Sequence, residues 1–256
     1  MIRRGDGIDW LLLTQPDHAA ICGLFAERWG SDIGPFAPVG EWKAVLHAAR
    51  DHDNGWIEWE AAPTVDAAGR PRHFLEMPVA EVLPVWRRGP MRAAEHDPYA
   101  GLLVSLHATR IFQPRYERGR DAPADREALG RFLEEQEALR SHLRSQVIVE
   151  EAIVQAHSAL VGLWDRLSLL LCCGPIPPTV LGSVPAREGT VEIRVMPDGE
   201  RSAALDPYPF AGGPLALTTP ARRIPAAPYA TDQALREALA TAPVINLAFA
   251  LRPLRP

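Results

Sequence analysis

At residues 172–178, CCGPIPP, the hydrophobic period of the chain changes. Upstream, apolar residues recur every three or four positions, the spacing of helices that bury one stripe. Downstream, prolines become frequent and the period moves toward two. VEIRV (191–195), PLALTT (214–219) and VINLAFAL (244–251) alternate or run apolar, as strands do. That change predicts a mainly α fold: a helical body over residues 1–174 and a small β-rich appendage over 175–256.

Punctuation residues divide the body further. IDWLLL (8–13) reads as a short strand, followed by a helix from about Pro16 to Trp29 and a loop over 30–38. A second helix is expected from about Val39 to Asp53, stopped by Asn54-Gly55. Helical patterns return at 77–95 and at 98–113, the latter with Asp97 as N-cap and Pro98 in the first turn. A charged, solvated helix is expected over 121–146, starting near Pro123. An apolar, mostly buried one follows over 147–173. In the tail, Thr231 caps the short helix DQALREALA.

Composition excludes several function classes. Of 256 residues, 47% are hydrophobic, enough for a core. The net charge of −5 argues against nucleic acid as the main partner, because phosphate backbones call for a basic face. Lys43 is the only lysine, which disfavours Schiff-base chemistry and leaves no lysine for a phosphate loop. Three cysteines, Cys22, Cys172 and Cys173, fit a reducing cytoplasm better than a disulfide scaffold. The most apolar stretch, from Ala159 to Cys173, is interrupted by Asp165 and Arg166 and is too short to span a bilayer. The opening MIRRGDGIDWLLL is a poor signal peptide, so the expectation is a cytoplasmic protein.

The chemistry concentrates at DHDNGW, residues 51–56. Trp42, Val45, Leu46 and Ala49 form the apolar stripe of the preceding helix, and steps of three and four lead from them to His52 and Asp53. Burying an unpaired carboxylate is expensive, so Asp53 needs a cation or strong donors. A metal ion serves both residues at once; an arginine beside Asp53 and a carbonyl beside His52 is the competing account. His18 shares a face with Cys22, Phe25 and Ala26. His107 shares one with Ala100, Leu103 and Ile111. Asp165 stands among Val161, Leu169 and Cys172 in the most apolar helix, with His157 two turns earlier as a rival ligand. The other doublet, His96-Asp97, is explained by capping alone.

Taken in order, His18, His52-Asp53 and Asp165 resemble the HD-domain superfamily of metal-dependent phosphohydrolases, whose mark is a histidine, a His-Asp doublet and a distant aspartate on a helical bundle. QPDHA, HDNGW, LLVSLH and LWDRLSLLLC, with ALDPYPF in the tail, are similar to a bacterial branch of unknown function grouped near that superfamily. The resemblance implies an HD-like bundle and a metal site formed by His18, His52, Asp53 and Asp165. The chain departs from the pattern in the long gap between Asp53 and Asp165, and in lacking a lysine near the doublet. Arg50, Arg110 or Arg166 would then hold a phosphate.

Imidazole and carboxylate ligands suit one or two divalent ions of manganese, iron, cobalt, nickel or zinc. The expected activity is hydrolysis of a small, nucleotide-like phosphoester by metal-activated water, with Asp53 orienting the water and Arg110 and Arg166 steadying the phosphate. Two alternatives stay open. A second ion, ligated by His107 with His157, His47 or His73, would complete a two-metal site, which the resemblance allows to be either a hydrolase or a di-iron oxygenase. A degenerate site would make a non-catalytic binding module. Trp42, Trp56 and Trp59 serve as core or as a wall for a substrate, and Glu58 and Glu60 read as solvated. The appendage is compatible with a cover over the bundle or with a homodimer contact.

Overall fold

Thr14 separates two kinds of structure. Before it lie strands β1 (Ile2–Gly5) and β2 (Asp9–Leu13); after it comes helix α1 (Gln15–Arg28). The Thr14 hydroxyl accepts from the backbone N–H of Asp17, and Pro16 occupies the first turn, so the switch is written in the cap. The computed structural model describes residues 1–5, 7–31, 34–38 and 42–254.

Six more helices precede the tail: α2 (Lys43–Asp51), the single turn α3 (Ile57–Ala61), α4 (Val79–His96), α5 (Pro98–Arg118), α6 (Pro123–Arg144) and α7 (Glu151–Cys173). Asp97 caps α5 as expected, accepting from the N–H groups of Tyr99 and Ala100, and Gly119 closes it in the left-handed conformation. The helix runs through Pro114, beyond the expected end at residue 113. The expected start of α2 at Val39 lies outside the described residues.

The tail contains β3 (Thr179–Pro185), β4 (Thr190–Pro197), β5 (Ser202–Asp206), β6 (Leu215–Pro225), α8 (Asp232–Thr241) and β7 (Val244–Pro253). Thr231 caps α8 through the N–H of Ala234. Among the described residues all seven strands join one sheet, in the order β1-β2-β6-β7-β5-β4-β3, curled into a half-barrel. Neighbouring strands are antiparallel except for β5 and β7.

This corrects the expectation of a mainly α bundle with a small β portion. The fold is α/β, with about 52% of the chain helical. The sheet crosses the expected boundary at 174/175, because β2 pairs with β6, Asp9 opposite Pro225 and Trp10 opposite Ile224. One hydrophobic core takes Leu13 from β2, Phe25 from α1, Leu103 from α5, Trp164 from α7 and Ile193 and Phe249 from the tail. The sequence hid the extent of the sheet for local reasons. β1 reads IRRG, with two arginines in four residues, and buried Arg4 donates to the carbonyl of Leu171 near the end of α7. β3 is broken by a register shift between Val180 and Gly182, and β5 is only five residues long. None of the three shows a clean alternation.

No helix among the described residues is long and apolar enough to cross a membrane.

Candidate metal centre

The doublet lies just past α2. That helix ends at Asp51, two residues before its expected end, and His52 and Asp53 occupy the turn that leads into a 3-10 turn, Asn54–Trp56. Gly55 serves close approach here. A Cβ on it would stand 2.1 Å from the carbonyl oxygen of Val85, so only glycine lets this turn lie across α4. Arg88 donates to the carbonyl of Gly55 and Arg92 to that of Asn54, at 3.0 and 2.8 Å. The doublet is therefore held from both sides, by α2 and by α4.

Four chain segments bring their polar groups to one point. The Nε2 atom of His18 (α1) lies 2.7 Å from Asp53 Oδ2 and 3.7 Å from Asp165 Oδ1 (α7). His52 Nε2 lies 3.6 and 3.4 Å from the same two oxygens. His107 Nε2, from α5, lies 3.8 Å from Asp165 Oδ2. All these residues are buried except Asp165, which is 16% exposed. His18, His52, Asp53, Asp165 and His107 are thus all brought together.

The ring orientations are set by outer partners. His52 Nδ1 donates to the carbonyl of Ala49 at 2.9 Å. Ser168 donates its hydroxyl proton to the carbonyl of Asp165, leaving its oxygen to accept from His18 Nδ1 at 2.6 Å and from the Cys22 thiol at 3.2 Å. A neutral imidazole with Nδ1 protonated carries its lone pair on Nε2. Two such lone pairs therefore aim at two carboxylates, which are also acceptors. His18 Nε2 and Asp53 Oδ2 stand at hydrogen-bond distance, 2.7 Å. The rest stays open: His52 Nε2, Asp53 Oδ1 and both ring nitrogens of His107 have no hydrogen-bond partner among the described residues.

Ligands at right angles around an ion with bonds of ~2.1 Å stand about 3 Å apart. The spacings above fall near that value. His52, His107 and Asp165 form one set able to hold an ion, and His18, Cys22 and His52 form another. Burial, with Asp165 nearby, pushes the Cys22 thiol well up, so it acts as a donor to Ser168 rather than as a thiolate. Burial alone would lower His52, yet Asp53 and Asp165 raise it to about 9. His107 is lowered to about 4 by burial, outweighing the pull of Asp165. Burial works to raise Asp165, but His52, His107 and His18 hold it below the usual carboxylate range.

A cavity of about 230 Å³ opens onto Asp53, His107 and Asp165. Its walls are apolar, with Trp56, Met77, Val82, Trp86 and Phe112, and the Trp86 ring lies 5.7 Å from that of His107. Gln15, buried with its Oε1 unpartnered among the described residues, joins the floor.

Several expected residues lie elsewhere. Arg110 donates to Ser158 and packs over Gly162, and Arg166 donates to the carbonyl of Leu181; neither lines the cavity. The cations that do are Arg115 and Arg118. His157 pairs with Tyr99, His73 caps the turn Phe74–Glu76, and His47 is exposed. The Glu60 side chain is buried, accepting from the N–H of Gln15, whereas Glu58 pairs with Arg88 and Arg92 on the surface. Trp56 is a wall of the cavity; Trp42 is 37% exposed and packs on Tyr99 and His157. Ser168 was the least visible of the working residues, although a serine three positions after Asp165 on an apolar helix is a readable signal.

A family model described as "Protein of unknown function (DUF3891)" matches residues 1–226, which include helices α1 to α7 and strands β1 to β6. No curated protein and no solved structure matches the chain.

Proposed function

We propose a function from the site itself, because the chain belongs to the DUF3891 family, whose description assigns none. In this reading it is a metal-dependent phosphohydrolase that holds one or two divalent transition ions and directs water onto a small phosphoester. The observation that carries the reading is the meeting of two imidazole Nε2 atoms and two carboxylates within 2.7–3.7 Å, with His52 Nε2 and Asp53 Oδ1 lacking a hydrogen-bond partner among the described residues. Leaving such acceptors buried and unpaired is costly, and a single divalent ion relieves all of them. The absence of thiolate from the set suits manganese, iron, cobalt, nickel or zinc.

An ion held by His18, His52, Asp53 and Asp165 would lower the pKa of water to near neutrality and offset charge on a phosphoryl oxygen. The chain's residues perform the other tasks. Ser168 and the Ala49 carbonyl fix the two imidazoles in the ligating tautomer. Asp53 keeps Oδ1 unpartnered among the described residues, where it accepts the proton of the attacking water. The aromatic cavity keeps bulk water away from the reacting group. Three unpaired cysteines, each at least partly buried, suit a reducing compartment.

The test is metal analysis of the purified chain together with turnover of phenyl phosphate. The reading expects bound transition metal and phosphate release that Asp53→Asn abolishes while the far-UV spectrum stays unchanged. A chain that takes up no ion after growth in manganese, iron and zinc contradicts it and leaves a non-catalytic module. His107 favours a second reading. Its Nε2, 3.8 Å from Asp165 Oδ2 and without a hydrogen-bond partner among the described residues, stands beside an apolar cavity where it would help hold a second ion. Iron near two per chain, with a spectral change that depends on dioxygen, would select that reading.

A further inference from the structure

The cavity over the metal ligands has a far end that phosphoester hydrolysis by itself does not require. His107, Ile111, Arg115 and Arg118 follow one another along α5 at steps of four, four and three, which places them on one face, and all four line the cavity. At 1.5 Å per residue, Arg115 and Arg118 lie about 12 and 16 Å beyond His107 along the helix axis. Their side chains lean back toward the helix N-terminus, over Ile111. The path outward from His107 and Asp165 therefore runs past Trp86, Phe112 and Leu169 to two guanidinium groups.

Those two arginines are not equivalent. Arg115 is spent: it grips Asp121 with Nε at 3.1 Å and Nη2 at 2.6 Å. Arg118 makes no hydrogen bond or close ion pair among the described residues; it feels Asp121 through charge alone, and its exposed side chain borders the cavity. The rim beside it is apolar and uncovered, with Leu75 77% and Ile111 40% exposed. Size adds a constraint. A cavity of ~150 Å³ accepts benzene, so about 230 Å³ takes one flat ring with a small polar substituent at each end.

We propose that the preferred substrate is a flat, apolar phosphoester bearing a second anionic group on the side away from the ester, and that Arg118 selects it by binding that group. The inference rests on the hydrolase reading for which end enters first. The ester faces the ions, the ring lies against Trp86 and Phe112, and the distal anion meets Arg118 at the mouth.

The experiment uses the metal-reconstituted full chain and two non-hydrolysable probes, phenylphosphonate and 4-carboxyphenylphosphonate, with binding read from tryptophan fluorescence. The distal carboxylate should tighten binding about tenfold, the size of one charge-assisted hydrogen bond. In Arg118→Gln the ratio of the two dissociation constants should fall to near one, and Arg118→Lys should restore part of it. Equal binding of the two probes by the unaltered chain overturns the proposal. So does a preference that survives Arg118→Gln, or failure of both probes to bind. Turnover of phenyl phosphate and 4-carboxyphenyl phosphate, measured in parallel, separates the two readings. If neither ester is hydrolysed while the probe preference holds, the hydrolase reading fails and the Arg118 selection stands.

Discussion

His52, in the turn after α2, and His157, on α7, are both buried histidines, and their surroundings treat them oppositely. The Nδ1 atom of His157 accepts from the Tyr99 hydroxyl at 2.8 Å, and its ring meets Trp42 edge-on at 4.9 Å. Its neighbours are neutral, and burial lowers it to about 4. His52 faces two carboxylates, and its Nε2 is left unpartnered among the described residues despite complete burial. Burial pulls it down as well, but Asp53 and Asp165 carry it to about 9. The difference teaches that a buried histidine marks a site only when its second nitrogen is aimed at acceptors. His157 is a satisfied part of the core; His52, in the proposed reading, would hold an ion.

Substitutions should separate the two positions. The largest effect is expected from Asp165→Ala or His52→Ala. Each removes a ligand and should weaken metal binding by at least about 100-fold, since even outer partners are worth roughly 10–100-fold. His157→Asn should leave metal stoichiometry unchanged; calorimetric titration with manganese or zinc reads both, and a metal defect in His157→Asn would break the comparison. Ser168→Ala tests the layer behind the ligands. It leaves the His18 tautomer unfixed and should cost roughly 10–100-fold in metal affinity with little change in fold.

Acid stability sharpens the other half. In the unfolded chain an imidazole takes up a proton near 6.5, whereas folded His157 does so near 4. The neutral form is therefore favoured by folding. Its contribution is complete above pH 6.5 and is lost as pH falls from 6.5 toward 4, up to roughly 3 kcal/mol. Denaturant titrations of the metal-free chain between pH 7 and 4.5 should show a steeper loss than in His157→Asn. The smallest effect belongs to Tyr99→Phe. It removes one neutral hydrogen bond, costs about 1 kcal/mol by the same titration, and leaves metal affinity alone.

The site was more legible in the sequence than the fold. His18, His52, Asp53, His107 and Asp165 each break an apolar stripe of helical period, and a polar group on such a stripe is a local anomaly that spacing alone exposes. What they meet is not local. Arg115 and Arg118 share a face with His107, but nothing in their own neighbourhood distinguishes them from Arg110, which points instead to Ser158. The sheet was hidden for the same reason. β2 pairs with the tail across more than 200 residues, as Trp10 opposite Ile224 shows, and the charges of Arg3 and Arg4 in β1 mask the pattern that would announce a strand. The change of period at 172–178 was real, but it marks where strands resume rather than where a second unit begins.

The most direct test of the account is anomalous scattering from crystals of the chain grown with manganese or zinc, recorded on both sides of the metal's absorption edge. The account predicts a peak bonded to His18 Nε2, His52 Nε2, Asp53 and Asp165, at about 2.1 Å from each ligand atom. Data that show no peak there, with the two aspartates satisfied by protons or by ordered water, would contradict it.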